Sequence, residues 1–444
     1  MKTFTPVVRM LFLGAWMGTR VPVGCLVNTE TDSSRFEPTQ GEDASPGDVA
    51  DASGDAVDDG NEGQGHDGSG HDVANDHAAD GPAPMAEAGP TPLPWYEGTF
   101  RYLPAVQANL VAFVGDLSHP NQGGYGKVSS SRAGKFDTML KALFEAIERA
   151  HVDGALPDWC GVRELAAQAG YELQRFREEA TGRWLLYGWD TTTYGQAYFF
   201  INPEPQRNVI VEAPHDPFDW ATGKQGARIF MALAARAFLL NKEHRCSDPD
   251  ATPCSGTTSA CHGYYRESDV AHHTANTFHL LHRYLSDNDP DTRFVQLHGF
   301  AGNENDYVEA SDGSRNKNNP SSVSIAFINA LKKLVPTPNA VFSCQDPKDP
   351  PPLGLCATTN VQARATHDPF IDACTEGMKK SSGRFLHIEQ AKALRQDSPS
   401  KGWSWTQVRD ALHETWPDCR QPGCALGPPL PNAEGCTCGM PCDP

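Results

Sequence analysis

The sequence predicts an α/β fold, a three-layer structure with a mixed sheet between helices, and three observations lead to it. Short runs rich in β-branched and aromatic residues alternate with stretches of helical period, in the order strand, helix, strand, loop, helix, strand. That alternation builds a sheet with parallel neighbours. Three of the runs stop at a residue able to bind or serve a metal: 208–214 runs into His215, 293–297 into His298, and 384–388 into Glu389. In open α/β sheets, ligand sites form where loops leave the carboxyl ends of the strands. Finally, residues 30–80 contain almost no large apolar side chain, so the folded part begins near Trp95.

The chain divides accordingly. Lys2 and Arg9 precede the apolar stretch 10–18, which is too short to span a bilayer, and residues 1–24 are expected to be a signal peptide. The small residue before Cys25 resembles a lipoprotein cleavage site, although Pro22 and Arg20 depart from the usual pattern. The expectation is an exported protein with lipid on Cys25 in a bacterial cell envelope, or otherwise a secreted one. Residues 25–92 read as a disordered acidic tether. Within 30–80, fifteen acids face the single base Arg35 and account for −14 of the formal charge of −19. Such a segment cannot bury enough apolar surface to offset the entropy of ordering. His66, His71 and His77 in it could bind metal loosely, but a solvated linker explains them. With no basic run anywhere, a nucleic-acid partner is excluded.

Residues 93–415 are expected to form the folded domain, with 93–205 as a helical and hairpin lobe. In 134–153, Met139, Leu140, Leu143, Phe144 and Ile147 recur at helical spacing, with Lys141, Glu145 and Glu148 turned away. A second helix is expected over 158–180. Residues 183–189 and 196–201 read as two strands joined through Asp190-Thr191-Thr192. After the run into His215, a helix over 226–237 and a strand over 238–241 follow. Ser268-Asp269 read as the N-cap of a helix over 270–285. Residues 323–334 are again helical, and 390–395 are expected to open a helix. Setting Cys25 aside leaves twelve cysteines in loop-like sequence, an even number that suits disulfides in an oxidising compartment. The last five crowd into a tail, 416–444, that disulfides or zinc could staple.

His215 and Asp219 lie four apart in a turn containing Pro217, which lets both side chains converge, and His298 arrives from a separate strand. Two neutral imidazoles and one carboxylate form a three-ligand set of the kind that holds catalytic Zn²⁺. Asp216 is an alternative to Asp219, and His272 an alternative histidine. Period two places Phe385, His387 and Glu389 on one face of their strand. Glu389 then either takes a proton from an attacking water or is the acid at the start of a following helix. Arg245 and Arg364 are candidate anchors for a substrate carboxylate or an oxyanion. Gly123-Gly124-Tyr125-Gly126 lacks the helix and lysine of a phosphate loop, Ser129-Ser130-Ser131 has no nucleophile-elbow context, and no HExxH occurs.

At these residues the chain resembles a family. His215, Asp219 and Thr222-Gly223, the run Phe294-Val295-Gln296-Leu297-His298-Gly299, and Ile388-Glu389 followed by Leu394-Arg395 are similar to poly-γ-glutamate hydrolase-type zinc amidohydrolases. More distantly they resemble carboxypeptidase-like and N-acetylmuramoyl-L-alanine amidase enzymes. The likeness spans about 208–395 and is one of order and strand context. It implies a zinc-hydrolase-like fold, with zinc on His215, Asp219 and His298 and Glu389 as base. The family's first acid is commonly Glu, and here it is Asp219. The implied activity is cleavage of an amide in a small-molecule, peptide or cell-wall-type substrate. A zinc esterase and a non-catalytic surface-anchored binding lipoprotein are the other functions this scaffold would serve.

Overall fold

The computed structural model describes residues 103–117, 125–153, 158–192, 196–300, 307–348, 350–396 and 403–417. The expected signal peptide, Cys25, the tether with its three histidines, Gly123-Gly124 and the tail from residue 418 lie outside the described residues. No described helix is long and apolar enough to cross a membrane.

One ten-stranded sheet is built from strands within residues 105–390, which, numbered in chain order, lie side by side as 1-2-3-4-6-5-7-10-8-9. Its first half is β1 (Ala105–Ala108), β2 (Tyr171–Glu178), β3 (Trp184–Asp190) and β4 (Tyr198–Ile201). β2, β3 and β4 are antiparallel neighbours, so the segment expected to be a lobe extends the same sheet. The second half is β5 (Arg207–Ala213), β6 (Ala235–Leu240), β7 (Arg293–Gly299), β8 (Val308–Ser311), β9 (Val341–Ser343) and β10 (Phe385–Gln390). Here β6, β5, β7 and β10 are consecutive parallel neighbours, and β8 returns antiparallel to β10.

Eight described helices cover the two faces. α1 (Leu110–Asp116), α4 (Thr222–Ala232), α6 (Val323–Lys332) and α8 (Trp405–Thr415) pack with Val211, Leu240, Val295, Leu297 and Ile388. On the other face, α2 (Ser130–Asp153), α3 (Trp159–Gln168), α5 (Thr277–Asn288) and α7 (Val361–His367) pack with Ile210, Leu239, Phe294 and Phe385. The expected helix–sheet–helix layering is therefore observed. The period-two alternation of each strand divides its side chains between the two apolar layers.

Four boundaries differ from the sequence expectation. The helix expected over 158–180 stops at Gln168, and 171–178 is strand β2. Gly170 at φ +76 makes the break, a conformation open to glycine without steric cost. α4 starts and ends earlier than 226–237, since positive-φ Ala234 turns the chain directly into β6. The helix expected from Val270 begins only at Thr277, capped by the Asn276 side chain on the His279 N–H. Residues 390–395 form no α-helix: Gln390 still belongs to β10, and a 3-10 turn at Lys392–Arg395 follows.

Candidate metal centre

His215 follows β5, His298 sits in the last turn of the pleat of β7, and Glu389 lies in β10. Because these three strands are adjacent and parallel, their carboxyl ends meet at one edge. Asp219 enters from the turn after His215, held by its backbone N–H donating to the His215 carbonyl at 2.7 Å. The structure brings His215, Asp219 and His298 into one cluster whose ligand atoms all lie within 4.8 Å of one another. The two imidazole centroids are 4.8 Å apart.

The partners of each ring fix which nitrogen faces that cluster. Gln296 donates through Nε2 to Glu212 Oε2 at 3.0 Å, and a carboxylate can only accept, so the Gln296 Oε1 is the atom turned to His298. His298 must then donate from Nε2 to that oxygen, at 2.7 Å, and its Nδ1 carries the lone pair. By the same logic His215 donates from Nε2 to Asp269 Oδ1 at 2.8 Å and turns Nδ1 inward. The inward atoms are 3.5 Å (His215 Nδ1) and 3.2 Å (His298 Nδ1) from Asp219 Oδ2. These are ion-pair distances, yet His215 Nδ1 and Asp219 Oδ2 have no hydrogen-bond partner although both are buried. Three acceptors thus converge in the interior, an arrangement that is costly unless a cation lies among them.

The electrostatics agree. Burial opposes the charge on Asp219, but the His215 and His298 rings outweigh it and hold the carboxyl far below its usual range. Burial and the neighbouring His387 push His298 down to about 4, so it is a neutral imidazole at ordinary pH, the form that binds metal. For His215, burial and Arg245 are outweighed by Asp269 and Asp219, and its value is raised.

Behind the candidate ligands stands a second layer of oriented groups. Asp269 accepts from His215, from His272 Nδ1 at 2.9 Å, and from Arg245 Nε and Nη2 at 2.9 and 2.5 Å. Burial notwithstanding, Arg245 and the two histidines hold the Asp269 carboxyl well below its usual value. Glu212 also accepts from His282 Nδ1 at 2.7 Å, and Asn360 donates to Gln296 Oε1 at 2.5 Å. Such partners fix ring orientation and raise ligand basicity.

Glu389 stands beside His298 in the β7–β10 register. Its Oε1 is 3.4 Å from His387 Nε2, and His298, His387 and Glu389 form a second set of converging ligand atoms. Burial would raise the Glu389 carboxyl, but His387 and His298 lower it on balance. As a strand residue it is no helix N-terminal acid. Opposite it on β8, Glu309 accepts from the Leu353 and Leu355 N–H groups and secures the loop above.

The other candidates fall out differently. Asp216 is engaged elsewhere: Lys242 Nζ donates to its Oδ2 at 2.7 Å and Gly223 N to its Oδ1 at 2.5 Å. His272 shares Asp269 with His215 and stacks on Tyr265, with ring centroids 3.6 Å apart. Arg245 is at the site but chiefly supports Asp269 through Nε and Nη2, and its Nη1 has no hydrogen-bond partner among the described residues. Arg364 is corrected outright. Its guanidinium is wholly buried and donates to the carbonyls of Thr358, Ala373 and Cys374, bracing the segment tied by the Cys254–Cys374 disulfide, so it cannot meet a substrate. Disulfides also join Cys246 to Cys261 and Cys344 to Cys356, as suits an oxidising, extracellular or periplasmic setting.

Asp269, Gln296 and His387 were not singled out in the sequence. Ser268-Asp269 carried a signal, an acid just before two histidines, but it was that of a helix cap. Gln296 and His387 are legible in retrospect as the same-face neighbours, at i−2, of His298 and Glu389.

No protein-family model and no curated protein matches the chain. Solved structures that do match include succinylglutamate desuccinylase from Vibrio parahaemolyticus, at 14% identity over 54% of this chain and 75% of that one, TM-score 0.30. A metallo-carboxypeptidase from Burkholderia cenocepacia matches at 15% identity over 50% of this chain and 58% of its own, TM-score 0.26. Another from Pseudomonas aeruginosa matches at 14% identity over 56% and 63%, TM-score 0.25. The chain thus spans less than two thirds of either carboxypeptidase. The roles of residues here rest on their own geometry.

Proposed function

We propose that the protein is an exported zinc-dependent amidohydrolase. The observation that supports this most is the convergence of His215 Nδ1, His298 Nδ1 and Asp219 Oδ2, of which His215 Nδ1 and Asp219 Oδ2 are buried without a hydrogen-bond partner. Two imidazoles and a carboxylate are a donor set suited to zinc, and the orphaned atoms are those a metal would satisfy. When bound there, zinc supplies Lewis-acid polarisation and acidifies water. His215 and His298 are held as ligands through Asp269 and Gln296. Glu389 takes a proton from the attacking water as its oxygen bonds to the amide carbon, then delivers it to the departing nitrogen as the C–N bond breaks. The free Nη1 of Arg245 is a donor for a substrate carboxylate or the developing oxyanion. The substrate belongs to small amides, peptides or cell-wall-type fragments. The disulfides among the described residues fit export, and lipid on Cys25 would place the domain on a cell envelope at the end of its tether.

Zinc content of the purified protein, followed by turnover on a panel of N-acyl amino acids and muropeptide amides, tests this proposal. About one equivalent is expected, lost in His298→Ala. Glu389→Gln should retain it while turnover falls on the order of 10²–10⁴-fold. A wild-type protein without zinc would point to the non-catalytic binding role. Undiminished turnover in Glu389→Gln would remove Glu389 from the chemistry.

A further inference from the structure

The residues directly behind the candidate ligands are tied together by one buried side chain, Arg395. Its guanidinium donates from Nη1 to the carbonyl of Trp220, which follows Asp219, at 2.7 Å. It donates from Nη2 to the carbonyl of Phe300, two residues past His298, at 3.3 Å. Between them it lies flat on the backbone of Gly299: a Cβ there would fall 2.1 Å from Nη1 and 2.3 Å from Cζ. Arg395 is only 4% exposed and sits in the turn that leaves β10 six residues after Glu389. One planar group therefore links the loop of Asp219, the strand end of His298 and the strand of Glu389. The Asp219 loop needs such a tie. Ala221, two residues on, is held at φ 67 in the left-handed region, and strained backbone of this kind persists only where its surroundings over-determine it.

We infer that Arg395 is the positioning residue that sets the spacing between Asp219 and His298, and that Gly299 is glycine so that the guanidinium can pass. This rests on the metal-site reading above. A lysine carries the same charge as arginine but cannot span two carbonyls in a plane. Arg395→Lys therefore separates geometry from electrostatics, and Gly299→Ala displaces the same guanidinium from the opposite side.

The full-length chain and both variants are compared by zinc affinity, measured against a chromophoric chelator, and by the visible spectrum of the cobalt-loaded protein. Backbone hydrogen exchange over 214–221 in metal-free protein completes the set. His298→Ala serves as the metal-site control. Both variants are expected to weaken zinc about 10–100-fold, to alter the cobalt bands, and to speed exchange in 214–221, with near-UV circular dichroism unchanged. Wild-type affinity and exchange in both variants, while His298→Ala loses zinc, would overturn the inference and leave the metal site standing. If the wild type binds no zinc, the functional proposal fails. The exchange rates then decide Arg395 alone, faster exchange keeping it as the tie on the loop and unchanged exchange removing it.

Discussion

The two halves of the sheet handle their interior in opposite ways. In β2 to β4 the strands are antiparallel, and Phe113 of α1 closes an aromatic stack with Phe176, Tyr187, Phe200 and Trp189, continued by Phe238 of β6. In β5, β7 and β10 the strands are parallel, and one face carries Glu212, Gln296, His298, His387 and Glu389 in two adjoining registers. Antiparallel strands send their ends alternately to opposite edges, so nothing accumulates. Parallel strands send every carboxyl end to the same edge, and polar side chains from residues far apart in sequence meet there. The first half contributes stability through buried apolar area. The second accepts buried polar groups, among them Glu212, Gln296 and His298, which hydrogen-bond to one another or to neighbouring side chains.

That contrast can be broken from either side. The largest effect is expected in the aromatic half: Phe200→Ala should destabilise the fold by about 3–5 kcal/mol, as deletion of a fully buried ring leaves a cavity. Urea denaturation measures it, and zinc stoichiometry of the folded fraction should not change. Loss of zinc in this variant would mean the halves are not separable. In the polar half, Asp269→Asn should weaken zinc about 10–100-fold, because the carboxylate that orients His215 is replaced by an amide. Competition with a chelator reads this, and an unchanged affinity would reduce Asp269 to a partner of Arg245.

The smallest effect concerns protons. His279, on α5, is buried with Nδ1 unpaired, and burial followed by the nearby His282, Arg283 and His273 holds it well below the usual histidine value of 6.5. The unfolded chain takes up a proton below that value and the folded one does not, so its contribution is complete above pH 6.5 and is lost as pH falls below it. His279→Phe should flatten that part of the stability–pH curve relative to wild type. Parallel curves for the two proteins would show that His279 is protonated in the fold.

Much of this architecture was legible locally. Apolar runs marked β5, β7 and β10, and the residues at or just past their carboxyl ends are His215, His298 and Glu389, because a strand's pattern and its end are properties of a few consecutive positions. The turn with Pro217 announced that Asp219 folds back toward His215. Boundaries failed where a short-range signal had two meanings: apolar residues in 171–178 suit a helix or a strand until β3 is present to pair with them.

What the tertiary structure alone decided are the links between distant segments. Asp269 looks like a helix cap in sequence, and becomes the partner of His215, 54 positions away, only when the loop after β6 folds over the strand ends. Arg245 and Arg364 are equivalent as sequence: two arginines near polar residues. One reaches the site and the other is enclosed by carbonyls, because a long side chain's role is set by the groups that surround it after packing. Arg395 behaves likewise, since its two acceptors are backbone oxygens whose positions no residue type encodes. Sequence determines which side chains leave the ends of strands, through local periodicity. The order in which those strands pair, a cooperative outcome of burying two apolar faces at once, decides which of them meet.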